Sequence, residues 1–467
     1  MRKLYTNFPY PTEIHDVVKL FFDDVELCVD GQTQWDFCVV ETAVGQTSFE
    51  YEAISNGKVE VQRVDVSGTD ELQSIRLRKR YAKLAIYNLL VSVTGKHMPW
   101  GSLTGIRPTK LADQLSREGL DWQHTFTNLL GVSQSKTKLV ADILQTQGNL
   151  RQHLDGCADL YVGIPFCVTR CSYCSFTSGE LERLKKYVEP YVSALCQDIT
   201  QTLRFAMDKG IRINNVYFGG GTPTSLSAKQ LDEVMSCIDV KPVEFTVEAG
   251  RPDTIDAEKL DVFAKHGVHR ISINPQTFNQ SVLDVIGRKH TVQDIYDKYE
   301  LAKRYGFTIN MDLIAGLPTE TYEMFCNSVD QAIALNPDNI TVHTLALKHG
   351  SALKEQNYAG AQDVSLMVKY SRDKLYNACY VPYYMYRQKY MAENLENVGY
   401  CKPGTPCLYN IGIMEEISDI LACGTNAISK RIISGENRIE RSANAKDVIT
   451  YIERNGEYLD KKFKLFS

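Results

Sequence analysis

The sequence contains no long hydrophobic run. Its longest apolar stretches, such as residues 84–93, fall well short of the roughly 20 residues that a membrane-spanning helix requires. The first eight residues also lack the apolar core of a secretory signal. Both absences predict a soluble, cytoplasmic protein without a membrane span.

An excess of positive charge is also missing. The chain has 52 Lys and Arg against 57 Asp and Glu, for a formal net charge of -5. This balance argues against a dedicated nucleic-acid binder, and we expect no nucleic-acid partner. The 467 residues, 43% hydrophobic and 23% charged, predict a globular protein of two or three domains.

Cysteine, by contrast, is abundant. The 13 cysteines form an odd number in a chain with no visible signal, which favours reduced thiols and a metal over disulfides. Most are scattered singly and are predicted to be buried small hydrophobes. Cys401 and Cys407 flank a turn-rich loop. A second metal site there is an alternative, although no further Cys or His lies beside it.

Three cysteines cluster tightly, at Cys167, Cys171 and Cys174, directly after an apolar run. Three thiolates are too few to close a structural zinc site, which needs four protein ligands. They suit a [4Fe–4S] cluster in which one iron has no protein ligand and can bind a small molecule. A zinc site with a distant fourth ligand and three unrelated cysteines are the alternatives.

Residues 1–155 read as a separate α+β domain. Segments 17–28, 47–54 and 59–64 are predicted strands, and residues 70–93 a long helix. The helix has a basic run that is either a solvated face or a surface for an anionic ligand; it comprises Arg76, Arg78, Lys79, Arg80 and Lys83. The loop at 101–110 is either an ordinary connecting loop or a lid over an active site.

From residue 160 onward, short β-rich runs alternate with helical segments. The predicted strands are 159–164, 215–218, 243–247, 268–274, 307–314 and 339–345, and the helices include 182–209, 256–266, 291–305 and 321–335. This alternation predicts a parallel sheet of βαβ units. The fold class is therefore α/β, a partial (β/α)6 barrel over 156–375 with a small C-terminal, substrate-side region over 376–467.

Polar or glycine-rich residues follow all six predicted strands. They are Cys167, the glycine run 219–221 with Thr222, Glu248, Asn274 with Gln276, Asp312, and His343 with Thr344 and Ala346. Because active sites of such barrels lie at the C-terminal ends of the strands, these residues predict one large active site. The glycine run lets the backbone approach a ligand closely and is a candidate cradle for the amino-acid end of a cofactor.

These motifs together resemble a known family. The matching segments are CVTRCSYC at 167–174, GGGTPT at 219–224, TVEA at 246–249, SINPQTF at 272–278, DLIAGLP at 312–318 and GTNAIS at 424–429. The chain resembles the oxygen-independent coproporphyrinogen III oxidase branch of the radical S-adenosylmethionine (SAM) enzymes. The segments TGIRPTK at 104–110 and LENVGY at 395–400 extend the resemblance to its HemZ-type subgroup, coproporphyrinogen dehydrogenase.

The resemblance implies the cofactors and their residues. Cys167, Cys171 and Cys174 would hold a [4Fe–4S] cluster whose open iron binds SAM. By motif position, the residues that resemble SAM contacts are Tyr161, Tyr173, Gly220, Gly221, Thr222, Glu248, Gln276, Arg288, Asp312, Ala346 and Ile428. No catalytic residue is assigned.

The resemblance also implies the reaction and partners. An electron from a donor such as flavodoxin or ferredoxin would cleave SAM, and the adenosyl radical would remove hydrogen from a propionate of a tetrapyrrole. Loss of CO₂ and one electron would leave a vinyl group in anaerobic haem biosynthesis. The candidate cations for the substrate carboxylates are Arg107, Lys110, Arg387, Lys389, Lys430 and Arg431. The tyrosines of 376–390 are expected to form a core, with a macrocycle pocket as the alternative.

Two departures from the family put the substrate in question. The N-terminal unit is long, and the tail after Ile428 is short. The rival functions are a haem-trafficking chaperone, a radical methyltransferase that opens haem, and a non-catalytic cluster protein. Chaperones of this family typically carry a Cys-x-His-Asn segment near the C-terminus. The corresponding segment of this chain, residues 407–410, has Tyr409 in place of the histidine.

Overall fold

The computed structural model describes residues 1–28, 34–105, 107–176, 178–348, 350–356, 358, 360–388, 391–433 and 438–467. Residues 1–141 and 142–467 form two compact units. The predicted functional division at residues 155 and 375 stays a prediction. No helix among these residues combines the length and apolarity that crossing a membrane would take.

The first unit is a mixed sheet covered by helices, as the α+β prediction requires. Its strands are β1 (Arg2–Thr6), β2 (Val25–Leu27), β3 (Phe37–Ala43), β4 (Ser48–Ser55) and β5 (Lys58–Asp65), in the order β2-β1-β3-β4-β5. Its helices are α1 (Pro11–Val18), α2 (Glu71–Thr94), α3 (Pro108–Arg117), α4 (Trp122–His124) and α5 (Gln134–Gln147), the last of which crosses the division. Leu4, Tyr51, Ile86 and Leu90 belong to its buried core.

The strand predicted over 17–28 is wrong in its first part. Residues up to Val18 form α1, and only Val25–Leu27 are extended. Pro11 at the first helical position favours a helix start there. The buried side chains Ile14, Val17 and Val18 follow a helical spacing that begins before the predicted segment.

Helix α2 confirms the prediction over 70–93. The Asp70 side chain accepts a hydrogen bond from the Gln73 amide, and the left-handed Gly95 ends the helix. Much of its basic run is neutralised within the unit: Arg78 pairs with Glu41 at 2.6 Å, and Lys79 and Lys83 pair with Glu13 at 3.3 and 3.2 Å. These contacts favour a structural role for the run over an anion-binding surface.

The second unit is built on an eleven-stranded sheet among the described residues. Its order is β14-β15-β13-β12-β11-β10-β9-β6-β16-β17-β18, and β7 pairs separately with β8. The strands are β6 (Cys157–Ile164), β7 (Phe166–Cys167), β8 (Gly179–Glu180), β9 (Arg212–Gly220), β10 (Glu244–Glu248), β11 (Arg270–Ser272), β12 (Thr308–Ala315), β13 (Asn339–Thr344), β14 (Val381–Tyr386), β15 (Asn397–Cys401), β16 (Asp419–Gly424), β17 (Ile428–Ile433) and β18 (Arg438–Ala443).

Helices connect and flank these strands. They are α6 (Leu181–Leu184), α7 (Val188–Asp208), α8 (Ala228–Ser236), α9 (Ala257–Lys265), α10 (Gln280–Val285), α11 (Val292–Lys303), α12 (Tyr322–Leu335), α13 (Ala352–Glu355), α14 (Val364–Asn377), α15 (Leu408–Glu415), α16 (Val448–Glu453) and α17 (Asn455–Phe466).

The six predicted strands of the partial barrel are confirmed. They are β6, β9, β10, β11, β12 and β13, which pair in that order and all run parallel. A seventh parallel strand, β16, was not predicted; it pairs with β6 on the side away from β9. The C-terminal region therefore contributes to both edges of the sheet, because β14 and β15 extend it beyond β13.

A buried ion pair joins the last helix to the barrel. The Lys462 ammonium on α17 donates to Asp198 on α7 at 2.6 Å and to Thr202 at 2.9 Å. Asp198 also accepts from the Tyr451 hydroxyl at 2.7 Å and from the Gly424 amide at 3.1 Å. The Asp198 carboxylate thus connects two residues of the tail after Ile428, Tyr451 and Lys462, to Gly424 at the end of β16.

Removing the cation of this pair is expected to destabilise the fold. Lys462→Met leaves a buried carboxylate without its counter-charge, which costs about 3–5 kcal/mol of unfolding free energy. Urea unfolding of the full chain measures the loss, and Lys461→Met, at an exposed neighbour on the same helix, is the matched control. Equal stability of the two variants would contradict this role for Lys462.

A second buried carboxyl precedes α12. Glu320 accepts a hydrogen bond from the Thr277 hydroxyl at 2.6 Å, and its other oxygen is buried without a partner. Burial raises the pKa of Glu320 to about 8 from the ordinary 4.5. The folded chain therefore binds a proton that the unfolded chain releases at lower pH, and stability is lost as pH rises from about 4.5 through 8.

Glu320→Gln is expected to remove this loss, because a glutamine keeps the Thr277 hydrogen bond and cannot ionise. Thermal unfolding at pH 5 and pH 8.5 should show the variant gaining on the unmodified chain as pH rises. The exposed Glu323→Gln is the control and should show the same offset at both pH values. A pH-independent difference for Glu320→Gln would refute the buried neutral acid.

Candidate active site

A cavity of about 560 Å³ lies in the second unit, at the C-terminal ends of the parallel strands. Residues at or after all six predicted strand ends line it, as the sequence analysis expected. The lining also includes tyrosines from β14 and from the start of α15. One rim therefore brings together chain segments from residue 161 to residue 414.

The structure brings nearly all the predicted site residues to this cavity. Those that line it are Tyr161, Cys167, Cys171, Tyr173, Cys174, Gly220, Gly221, Thr222, Glu248, Gln276, Arg288, Asp312 and Ala346. Ile428 begins β17, is 49% exposed and is not part of the lining. The individual roles of these residues in cofactor binding stay predictions.

The three clustered thiols share one wall of the cavity. Cys167 ends β7, and a turn closed by the Cys174 amide and the Cys171 carbonyl, 3.1 Å apart, brings the other two back toward it. Burial raises the pKa of Cys174 to about 11, and the neighbouring Cys171 and Cys167 add to the shift. Without a metal, this thiol is protonated at neutral pH.

The donor set fits an iron–sulfur cluster better than a single metal ion. No group of three His, Cys, Asp or Glu side chains within the described part of the chain is close enough to ligate one ion. In a [4Fe–4S] cluster each thiolate binds a different iron, so the three sulfurs need not converge on one point. The same finding leaves the zinc alternative without support among the described residues.

The glycine loop packs directly against the cysteine loop. The Gly221 amide donates to the Ile164 carbonyl at 2.7 Å, and the Thr222 amide donates to the Phe166 carbonyl at 2.8 Å. A Cβ atom at position 221 would lie 2.6 Å from the Phe166 oxygen and 3.0 Å from the Cys167 sulfur. Glycine is required here because the two loops touch backbone to backbone.

Two buried arginines also hold the cysteine loop. Arg288 donates to the Tyr173 hydroxyl at 3.0 Å and to the Gly250 carbonyl at 2.9 Å. Arg251 donates to the Thr169 hydroxyl at 2.6 Å and forms a bidentate pair with Asp253. Arg251 was not predicted, because its only signal in the sequence is its position in an Arg-Pro-Asp turn three residues after Glu248.

Two carboxyl groups face the cavity. Glu248 accepts a hydrogen bond from the Tyr217 hydroxyl at 2.5 Å. Burial raises the pKa of Glu248 to about 7, and the nearby Asp312 adds to the shift. His343 lies 3.5 Å from Asp312 and 3.3 Å from the Tyr386 hydroxyl. Tyr217, also missed from the sequence, therefore sets the position of a carboxyl that titrates near neutral pH.

Several polar atoms in the lining have no hydrogen-bond partner. They include the side-chain oxygens of Asn274 and Gln276 and the Nε of Arg288. Gln276 is also held at a φ of 69°, in the left-handed region that non-glycine residues rarely adopt. Unpaired buried polar groups and local backbone strain are typical of sites that bind a polar ligand. These residues therefore fit a polar ligand, and their contact with SAM stays a prediction.

Stacked tyrosines form another wall. Tyr217 stacks on Tyr409 with ring centroids 4.3 Å apart, and Tyr161 lies parallel to both at 6.3–6.4 Å. Of the C-terminal tyrosines, Tyr383, Tyr384 and Tyr386 line the cavity while belonging to or packing on a buried cluster. Both interpretations of this region, core and pocket, therefore apply. Tyr390 lies outside the described residues.

None of the described substrate cations predicted from the sequence lines the cavity. Arg387 is buried and donates to Asn394, Lys430 is buried in β17, and Arg431 donates to carbonyls at the end of the chain. Arg107 and Lys110 belong to the first unit, and Lys389 lies outside the described residues. Their role with a substrate stays a prediction.

The second metal site considered at Cys401 and Cys407 finds no support. Burial raises the pKa of Cys401 to about 12, and Cys407 donates to Glu244 at 3.2 Å. Among the described residues, no third His, Cys, Asp or Glu side chain completes a metal-ligand group with these two thiols. Both cysteines belong to the buried cluster that includes Tyr383.

Comparisons with known proteins indicate the family of this chain. The matching family model is the Radical SAM superfamily, over residues 161–332. The oxygen-independent coproporphyrinogen-III oxidase-like protein HemZ of Bacillus subtilis (strain 168) is 37% identical over 475 aligned residues, which cover 97% of this chain and 94% of the relative. Heme chaperone HemW of the same organism is 36% identical over 40% of this chain and 50% of its own length.

A solved structure shares the fold. It is coproporphyrinogen III oxidase (HemN) from Escherichia coli, described as a radical SAM enzyme. The TM-score is 0.52 at 23% identity, covering 67% of this chain and 72% of the other.

Gly221→Ala is expected to lower the iron content of the protein. The added methyl group meets the Phe166 carbonyl and the Cys167 sulfur, neither of which can move without displacing the cysteine loop. Iron and sulfide per chain, measured after anaerobic reconstitution, should fall well below those of Gly456→Ala. Position 456 has open space for a methyl group, so the control makes the same change without a clash. Equal iron in both variants would contradict the close packing of the two loops.

Proposed function

The chain belongs to the radical SAM family that includes HemZ of Bacillus subtilis, and we propose that it decarboxylates coproporphyrinogen III oxidatively to protoporphyrinogen IX. Proteins of this family use a [4Fe–4S] cluster and SAM. The observation that carries the proposal is a single cavity in which three thiols, a glycine loop and a flat wall of tyrosines meet. The similarity to HemZ over nearly the whole chain supports the substrate class.

The residues that would hold the cofactors divide by chemistry. Cys167, Cys171 and Cys174 would bind the cluster. The backbone of Gly220–Thr222 and the unpaired oxygens of Asn274 and Gln276 would hold the polar parts of SAM. When bound, the cluster and SAM supply one-electron chemistry that removes a hydrogen atom from an unreactive carbon.

The protein positions these parts and sets their charge. Arg288 and Arg251 fix the cysteine loop through Tyr173 and Thr169. Glu248 has a pKa of about 7 without a ligand, and a nearby sulfonium would favour its ionised form. The stacked rings of Tyr217 and Tyr409 would present an apolar face that excludes water from a flat macrocycle.

The proposed reaction converts propionate side chains to vinyl groups. Each reacting propionate would lose one hydrogen atom, one electron and CO₂ and become a vinyl group, with the hydrogen atom leaving in 5′-deoxyadenosine and methionine as the other product of SAM. The electron passes to a one-electron acceptor. A separate one-electron donor, such as flavodoxin or ferredoxin, would reduce the cluster at the start of each cycle. The tetrapyrrole carries four propionates, of which two react.

A haem chaperone is the second candidate, favoured by the similarity to HemW. One side chain weighs against it. Tyr409 occupies the position at which the chaperone segment has histidine, and its ring is buried in the stack with Tyr161 and Tyr217. Burial raises its pKa, so it is a neutral phenol and a poor haem ligand. A haem-opening methyltransferase is a further alternative within the same family.

The proposal is tested by turnover under anaerobic conditions. Reconstituted full-length protein with reductant, SAM and coproporphyrinogen III should produce 5′-deoxyadenosine together with vinyl products and CO₂. Cys171→Ser, which removes one thiol, should abolish both products. Formation of deoxyadenosine without vinyl product would overturn the proposal that coproporphyrinogen III is the substrate. Stoichiometric haem binding without turnover would favour the chaperone, and haem consumption with methyl transfer the methyltransferase.

A further inference from the structure

Five cationic side chains line the cavity among the residues that the structure describes: Arg170, Arg251, Arg270, Arg288 and Lys348. Four of them donate hydrogen bonds to the protein. Arg170 donates to the Gly350 carbonyl at 2.5 Å, and Arg270 pairs with Glu244 at 3.2 Å. Arg251 and Arg288 hold the cysteine loop as described above. Their charges serve the protein's own structure.

Lys348 differs from the other four. Its ammonium has no hydrogen bond or ion pair with any described residue, although the side chain is only partly exposed. Its backbone is fixed, because the Lys348 carbonyl accepts from the Ser351 hydroxyl at 2.9 Å and from the Ser351 amide at 3.2 Å. The chain therefore places this cation at the cavity without a hydrogen-bonding or ion-pairing partner among the described residues.

The surroundings indicate what kind of group this cation would meet. Lys348 follows β13 and lines the cavity together with Ala346 and Cys174. The Lys348 side chain is only partly exposed, so its ammonium is incompletely solvated. The cavity carboxyls Glu248 and Asp312 lie beside Tyr217 and His343 and interact with each other. A ligand carboxylate would supply the missing partner through a charge-assisted hydrogen bond.

We propose that Lys348 is the carboxylate-binding residue of this cavity. The inference rests on the proposed function, in which two ligands bring carboxylates: the tetrapyrrole with its propionates, and SAM with its amino-acid end. None of the cations predicted from the sequence for this role lines the cavity. Lys348 provides it from the segment after β13, in a position that the motifs did not indicate.

The test uses reconstituted full-length protein in three variants. Lys348→Met keeps the length of the side chain and removes its charge, and Lys348→Arg restores a cation. Lys354→Met makes the same change at an exposed position on the neighbouring α13. The ligands are SAM, coproporphyrin III and its tetramethyl ester, which lacks carboxylates. Binding is measured by equilibrium dialysis for SAM and by fluorescence for the porphyrins, with iron content determined on the same samples.

Lys348→Met should weaken the binding of one carboxylate ligand roughly ten- to hundredfold, the loss expected for a hydrogen bond to a charged group. Lys348→Arg should recover part of the loss, and Lys354→Met should bind normally. A loss for coproporphyrin III but not for its ester identifies the substrate as the source of the carboxylate. A loss for SAM identifies the cofactor.

Unchanged binding of both SAM and coproporphyrin III by Lys348→Met would overturn the inference. So would a fall in iron content of this variant, because the lysine would then serve the cysteine loop. Failure of the proposed function looks different: the unmodified chain would bind SAM and form deoxyadenosine without vinyl product. The binding measurements on Lys348→Met decide the inference in that case as well.

Discussion

The site depends on two backbone hydrogen bonds between the cysteine loop and the glycine loop. They join Gly221 to Ile164 and Thr222 to Phe166, and they exist because β6 and β9 are parallel neighbours whose C-terminal ends coincide. Parallel pairing of the next four strands extends the same rim. The polar side chains at the strand ends therefore line the same cavity as the thiols.

Much of the barrel could be predicted because its signals are local. Alternating β-rich and helical segments give six strands and their order, and the glycine and cysteine motifs each lie within eight residues. The rim position of Glu248, Gln276 and Asp312 then follows from the geometry of parallel strands. The same logic could not find β16, because its place beside β6 depends on a pairing between segments more than 250 residues apart in the chain.

Two site residues were not predicted for the same reason, because their roles depend on contacts between segments that are distant in the chain. Tyr217 reads as an ordinary strand tyrosine until Glu248 is found 2.5 Å from its hydroxyl. Arg251 reads as a turn residue until its guanidinium reaches Thr169 in the cysteine loop. The candidate cations show the same limit, since none of the described ones lines the cavity and Arg431 donates to carbonyls at the end of the chain. Motif and charge identify types of residue, and only tertiary contacts determine which of them reach the ligand.

The central claim is that three thiols of this cavity bind a cluster and leave one iron open to SAM. Electron paramagnetic resonance of the reduced, anaerobically reconstituted chain, recorded with and without SAM, tests it most directly. The account predicts about four irons per chain and a cluster spectrum that changes when SAM is added. A cluster whose spectrum is indifferent to SAM, or a chain that binds no iron, would contradict it.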